Sequence, residues 1–135
     1  MDASALLLLY VPEAGASWVR RLWSDFDQHL APDLAFVEVS SALLKKVRRC
    51  ELDGDEARAA IGLLAVRPPI RRVPTQHLLP AAYEFASTVH CSLYDAVYAT
   101  LALHTSSRLL TADEAFARAL GAAVGGPELI LVPRV

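Results

Sequence analysis

Four acidic side chains are the residues of this sequence that are best placed to do chemistry. They are Asp2, Glu38, Asp95 and Asp113, and each lies in an apolar stretch of the chain. Acids at roughly 4 Å from one another repel by about 4 kcal/mol per pair at an effective dielectric of about 20, so converging carboxylates need a counter-charge. Carboxylate oxygens suit hard cations such as Mg²⁺ or Mn²⁺. The set therefore indicates a metal site if the four acids meet in the fold.

Two of these acids also fit the start of a helix. Ser92-Leu-Tyr-Asp95 matches a capping box, in which the serine caps the helix and the acid closes its first turn. Thr111-Ala-Asp-Glu114 matches the same pattern, which predicts Thr111 and Glu114 as the capping pair and leaves Asp113 pointing elsewhere. Asp113 would otherwise be a first-turn acid that the helix dipole favours.

The other two acids have equally simple explanations when each is taken alone. Glu38 could be a solvent-facing residue of a helix, and Asp2 a polar residue near a mobile chain end. Taken one at a time, the residues leave these alternatives open.

The apolar spacing, caps and prolines predict short strands that alternate with helices. Helices are predicted over 3–10, 15–25, 33–49, 53–66, 77–89, 92–104 and 113–120, and strands over 29–31, 70–73, 108–111 and 128–132. This alternation indicates an α/β fold, with a mostly parallel sheet covered on both faces. Chemistry in such folds gathers beyond the carboxyl ends of the strands.

Length and charge limit the function further. The 135 residues suit one domain spanning 1–135, and the net charge of −2 argues against holding nucleic acid by overall charge. RNA contact would need a local patch, for which the candidates are Lys45, Lys46, Arg48 and Arg49, with Arg71 and Arg72 as a second group. The simpler alternative is a solvated helix face. Tyr94 and Tyr98 could stack on bases, although the spacing of Tyr98 favours the core.

The remaining features indicate the cell compartment. Cys50 and Cys91 form no CxxC pair, which favours two buried thiols in a reducing cytosol. The N-terminal apolar run is short and lacks a basic flank, which argues against a signal peptide, and no segment approaches the roughly 20 apolar residues of a membrane span. We therefore expect a cytoplasmic protein with no membrane contact.

The four acidic segments together resemble a known family. They read Asp2-Ala-Ser-Ala-Leu6 with Tyr10-Val-Pro-Glu13, then Pro32-Asp-Leu-Ala-Phe-Val-Glu38-Val-Ser-Ser-Ala-Leu43, then Ser92-Leu-Tyr-Asp95-Ala-Val-Tyr98-Ala-Thr-Leu-Ala102, and last Leu109-Leu-Thr-Ala-Asp113. In this order they are similar to the acidic segments of the PIN-domain family, and in particular of its VapC-type toxins.

The resemblance implies an α/β/α sandwich and an endoribonuclease that depends on Mg²⁺ or Mn²⁺. It implies that the four acids bind the metal, that Ser4 and Thr111 hydrogen-bond near them, and that metal-activated water cleaves RNA. It also implies a cognate VapB-type antitoxin and a homodimer. In the family a full strand precedes the first acid, whereas here only Met1 does, so we expect a truncated first strand.

Three other functions remain as alternatives. A PIN-like module could bind RNA or protein without cleaving it. A phosphohydrolase would typically carry Asp-x-Asp and a downstream lysine, but Asp2 is followed by Ala-Ser and no lysine follows Lys46. A helical adaptor would leave the ordered acids unexplained. Trp18, Trp23 and the segment 6–9 could line a partner groove, although core packing explains them as well.

Overall fold

A computed structural model describes residues 1–133, so the last two positions of the expected domain, 134 and 135, lie outside the described residues. The helices are α1 (Ala3–Leu7), α2 (Ala16–Trp23), α3 (Leu34–Arg48), α4 (Gly54–Val66), α5 (Leu79–Val89), α6 (Leu93–His104) and α7 (Glu114–Gly121). The strands are β1 (Leu30–Pro32), β2 (Arg71–Val73), β3 (Leu109–Thr111) and β4 (Leu129–Leu131), and a 3₁₀ turn (Thr75–His77) precedes α5. Every predicted element has a counterpart of the same type.

The helix starts follow from local hydrogen bonds. Asp53 caps α4, as predicted, by accepting hydrogen bonds from the backbone N–H groups of Asp55 (2.8 Å) and Glu56 (3.4 Å). Ser92 caps α6 by accepting from the N–H of Asp95 at 3.0 Å, which confirms the first capping box. The first helix is shorter than predicted and ends at Leu7, because the chain turns between Leu8 and Tyr10.

The strands form two separate parallel pairs. Leu30 of β1 lies opposite Arg71 of β2, and Leu109 of β3 lies opposite Leu129 of β4. Residues 1 and 2 run between the pairs, since the N–H of Asp2 donates to the Leu110 carbonyl (3.0 Å) and the Met1 amine donates to the Leu30 carbonyl (2.7 Å). Two residues are too few for a full ladder of hydrogen bonds, so the described strands make an α/β fold with parallel pairs.

The core lies around α6, where every residue from Ala96 to Ala102 is buried. Leu6 and Leu8 are also buried, in agreement with the core explanation of that segment, and Trp18 and Trp23 pack partly buried against the core. On α3 the buried side chains are Ala35, Val39 and Leu43. Between residues 1 and 133, no helix is both long and apolar enough to cross a bilayer.

The cysteine prediction is partly wrong. Cys50 is exposed, because it follows the end of α3 in a left-handed turn with φ of 57° that carries it out of the core. Cys91 is half-buried. His77, His90 and His104 are exposed.

Candidate active site

Asp2 is the most buried of the four acids, with 4% of its surface exposed. Its Oδ1 accepts hydrogen bonds from the Ala5 N–H (3.0 Å) and the Ser4 hydroxyl (2.8 Å), and its Oδ2 accepts one from the Thr111 hydroxyl (2.5 Å). Burial raises the pKa of Asp2, while the bonds from Thr111, Ala5 and Ser4 work against that rise. The carboxylate is thus an N-cap for α1 that is held in place on both oxygens.

Ser4 and Thr111 join this carboxylate to the end of β3. The Ser4 hydroxyl accepts a hydrogen bond from the Ala112 N–H at 2.8 Å, and the Thr111 hydroxyl accepts one from the Asp113 N–H at 3.0 Å. Thr111 is fully buried. The structure therefore places both predicted hydroxyls beside Asp2, in the positions from which they orient it, while their contribution to catalysis stays a prediction.

Glu38 accepts a hydrogen bond from a tyrosine that the sequence interpretation assigned to the core or to base stacking. Tyr98 is 4% exposed, and its hydroxyl donates to Oε2 of Glu38. Burial, the hydrogen bond to Glu38 and the charges of Glu38 and Asp2 raise the pKa of Tyr98 far above its ordinary value. A tyrosine at a core position of a largely apolar helix is the sequence signal for such a bond, because a buried phenol needs a hydrogen-bond partner.

Asp113 does not point away from its helix, and the predicted capping pair of Thr111 and Glu114 is wrong. The N-cap of α7 is Asp113, whose Oδ1 accepts from the N–H groups of Ala115 (2.8 Å) and Phe116 (3.0 Å). The Thr111 hydroxyl donates to Asp2 and accepts from the Asp113 N–H instead of from the Glu114 N–H that the capping box requires. The Asp113 backbone still adjoins the Asp2 cluster through Thr111, and its side chain lines a surface recess with Ser4.

Asp95 lies in the first turn of α6, one helical turn before Tyr98. Asp95 is half-exposed. Burial raises the pKa of the Cys91 thiol, and the nearby charge of Asp95 raises it further. Across residues 1–133, no hydrogen bond or ion pair reaches the Asp95 carboxylate. Of the four acids, Asp95 is therefore the one whose carboxylate oxygens are both available to a ligand.

The donor chemistry fits a hard cation, since carboxylates and hydroxyls are the ligands that Mg²⁺ and Mn²⁺ prefer. Asp2 in particular is a buried acid that a cation would stabilise in its charged form. In the described part of the chain, no three acidic, His or Cys side chains are already grouped as a metal site. Among the described residues, hydrogen bonds bring Asp2, Ser4 and Thr111 together, and a separate bond joins Glu38 to Tyr98. The carboxylates of Asp95 and Asp113 take part in neither group.

The basic candidates lie in the last turn of α3. Lys46 is only 18% exposed and is paired with Glu13 and, at 3.6 Å, with Glu51. Lys45, Arg48 and Arg49 are exposed, and Arg49 lies 4.0 Å from Glu51. On β2, Arg72 lies over the ring of Phe36 at 5.3 Å. Lys46 thus serves mainly as an ion-pair partner, and the other cations of the patch face solvent.

Comparison with known proteins identifies the family of this chain. The model of the PIN domain family matches residues 1–121. Ribonuclease VapC3 of Pyrobaculum aerophilum is 34% identical over 125 residues, which cover 92% of this chain and 95% of that protein. A family match over most of the chain and a relative that aligns over nearly its full length show that this chain belongs to the PIN-domain family, in its VapC-type branch.

Proposed function

We propose that the chain is a VapC-type toxin, an endoribonuclease that cleaves RNA phosphodiester bonds with Mg²⁺ or Mn²⁺. The observation that carries this proposal is the buried Asp2 carboxylate, held on both oxygens by Ala5, Ser4 and Thr111. A desolvated acid with a raised pKa is costly to keep charged, and such groups concentrate at functional sites. The match to the PIN family and the ribonuclease relative support the same activity.

The residues that would hold the metal are Asp2, Glu38, Asp95 and Asp113. A bound divalent cation would supply Lewis-acid stabilisation of the phosphate and would activate water for attack. Ser4 and Thr111 keep the Asp2 carboxylate from rotating, which fixes the ligand that the fold positions most firmly.

Asp113 would contribute differently from Asp2. Its Oδ1 already accepts two backbone hydrogen bonds at the start of α7, which leaves its second oxygen as the one available to a ligand. The Thr111 hydroxyl receives the Asp113 N–H, so the two acids are joined through one side chain. This arrangement lets Asp113 serve the site without breaking the helix cap.

Bound RNA would extend from the four acids along the surface of α3. Lys45 follows Glu38 by seven residues, close to two helical turns, so it lies on the same helix face about 10 Å farther along the axis. Replacing Lys45 with Ala should lower RNA affinity and reduce the slope of log K against log salt by about one phosphate contact. The matched control is Arg67→Ala, which removes one exposed charge at the end of α4. Equal slopes for the two variants would argue against this path.

The test of the activity is cleavage of single-stranded RNA by the purified chain. We expect cleavage that EDTA abolishes and that added Mg²⁺ or Mn²⁺ restores, since the acids alone repel RNA. Cleavage that persists in EDTA would contradict the metal role. Binding of RNA without cleavage at any metal concentration would instead support the second candidate, a PIN-like binding module. That candidate is favoured by one observation, the lack of three grouped ligands among residues 1–133.

The resemblance to VapC-type proteins also supports partners. We propose a VapB-type antitoxin as the partner, because the relative of this chain is a VapC-type ribonuclease. We further propose a homodimer acting in the cytoplasm, with no membrane partner. Light scattering after size-exclusion chromatography measures the dimer, and rescue of growth by co-expressed antitoxin measures the inhibition.

The complete architecture is likewise a proposal. We propose that residues 1–135 form a single PIN domain, an α/β/α sandwich with strand order β2, β1, residues 1–2, β3, β4. The hydrogen bonds from Met1 to Leu30 and from Asp2 to Leu110 support this order. Slow hydrogen exchange of the Asp2 amide, at a rate like that of amides within β3, is the expected result.

A further inference from the structure

The Tyr98 hydroxyl lies where three acid-bearing elements meet. It donates to Glu38 of α3, and the Ala3 N–H at the start of α1 lies close enough to act against the rise in the Tyr98 pKa. It is also close enough to Asp2 for the two to interact electrostatically. Tyr98 itself follows Asp95 by one turn of α6, so a single buried oxygen connects the surroundings of three of the four acids.

Packing alone does not require this oxygen. The neighbours of Tyr98 on α6 are apolar side chains such as Val97 and Leu101, and a phenylalanine would fill the same volume. A phenol enters a core at a cost unless its hydroxyl is bonded, and here the bond goes to a carboxylate. Across residues 1–133, no cation forms an ion pair with Glu38.

We propose that Tyr98 is a positioning residue for Glu38. Its hydroxyl holds Oε2 of Glu38 and so restricts the rotation of that carboxylate. The inference rests on the proposed function, because it assumes that Glu38 binds the divalent cation. Without the hydroxyl, the Glu38 carboxylate would rotate more freely, and the cation would lose a ligand whose orientation is fixed before it binds.

The test is Mn²⁺ binding to the whole chain without RNA, measured by calorimetry for wild type and Tyr98→Phe. We expect the variant to bind Mn²⁺ about 10- to 100-fold more weakly, as is usual when a partner of a metal ligand is lost. Tyr83→Phe is the matched control, because the same oxygen is removed from an exposed tyrosine on α5. Cleavage by Tyr98→Phe should recover to near the wild-type rate at saturating Mn²⁺, which a general loss of structure would not allow.

A double-mutant cycle separates positioning from packing. In a Glu38→Gln background, Tyr98→Phe should change Mn²⁺ affinity by less than about twofold, because the carboxylate it orients is gone. If Tyr98→Phe fails to fold, Glu38→Gln alone still tests the inference, because unchanged Mn²⁺ affinity in that variant would remove the ligand that Tyr98 is proposed to hold.

The outcomes distinguish the two proposals. Wild-type affinity in Tyr98→Phe, or in Glu38→Gln where Tyr98→Phe does not fold, overturns the role of Tyr98 while leaving the nuclease proposal in place. An equal loss in both Glu38 backgrounds also overturns it, because the effect would not pass through Glu38. A wild-type chain that binds no Mn²⁺ and cleaves no RNA overturns the proposed function, and the inference about Tyr98 with it.

Discussion

Asp2 and Asp95 are placed in opposite ways, although both are expected to bind the same metal. Asp2 is 4% exposed, caps a helix and receives hydrogen bonds on both oxygens. Asp95 is half-exposed, and over residues 1–133 its carboxylate takes part in no hydrogen bond or ion pair. The Asp2 side chain is therefore tied into the fold by hydrogen bonds, whereas the Asp95 side chain is not.

This difference separates stability from activity. A side chain that caps a helix and bonds to a distant strand contributes to folding, so its loss affects both properties. A side chain without partners contributes little to folding, and its loss affects only the chemistry. Thr111, at the carboxyl end of β3, links Asp2 to the rest of the fold by donating a hydrogen bond to its carboxylate.

Replacement of Asp95 should have the largest effect on activity. We expect Asp95→Asn to lower kcat/KM for RNA by more than about 100-fold, because loss of a ligand should exceed the loss of a ligand's partner. The melting temperature should stay within about 2 °C of wild type, since no bond to the carboxylate is lost. Glu56→Gln in the first turn of α4 is the control for the helix dipole. Full activity in Asp95→Asn would contradict its assignment.

Replacement of Asp2 should affect both properties. Asp2→Ala removes the cap of α1 and leaves the Thr111 and Ser4 hydroxyls without their acceptor, so unfolding free energy should fall by about 2–3 kcal/mol. Asp2→Asn keeps the shape and should lose much less stability, while cleavage is abolished in both variants. Urea denaturation at pH 7 measures the difference, and equal destabilisation by Ala and Asn would show that the hydrogen bonds do not matter.

The pH dependence at Asp2 has a definite sign. Burial raises the pKa of the folded carboxyl above its unfolded value of about 3.9, so its favourable contribution exists below that value. The contribution is lost as pH rises through the folded pKa. The stability of wild type relative to Asp2→Asn should therefore fall as pH rises from acid to neutral, and the opposite slope would contradict the burial argument.

Helix and strand types were predictable from sequence, whereas the capping of α7 was not. Thr111 and Asp113 are both good caps and lie two residues apart, so local preference does not decide between them. The outcome depends on Asp2, which is 109 residues from Thr111 in sequence. Its carboxylate accepts a hydrogen bond from the Thr111 hydroxyl and so orients that side chain. Tyr98 shows the same limit, because periodicity places it in the core but says nothing of the carboxylate on α3 that it meets.

Replacement of Thr111 tests that long-range link. Thr111→Val keeps the shape but removes the donor to Asp2 and the acceptor of the Asp113 N–H, so we expect a loss of about 1–2 kcal/mol. Thr100→Val is the matched control. Its hydroxyl is as deeply buried, yet within the described residues it has no hydrogen-bond partner, so that variant should be neutral or more stable. Equal losses in the two variants would assign the effect to packing.

The smallest expected effect is at Asp33, an exposed acid whose pKa moves opposite to that of Asp2. The hydroxyl and the N–H of Thr75 both donate to its carboxylate, and these bonds lower its pKa. A lowered folded pKa gives stability that is present above about pH 3.9 and is lost as pH falls through the folded value. The wild-type advantage over Asp33→Asn should be below about 1 kcal/mol at neutral pH, because solvent screens the site. It should shrink in acid, where the Asp2 contribution grows, and melting curves between neutral and acid pH should show these opposite slopes in one protein.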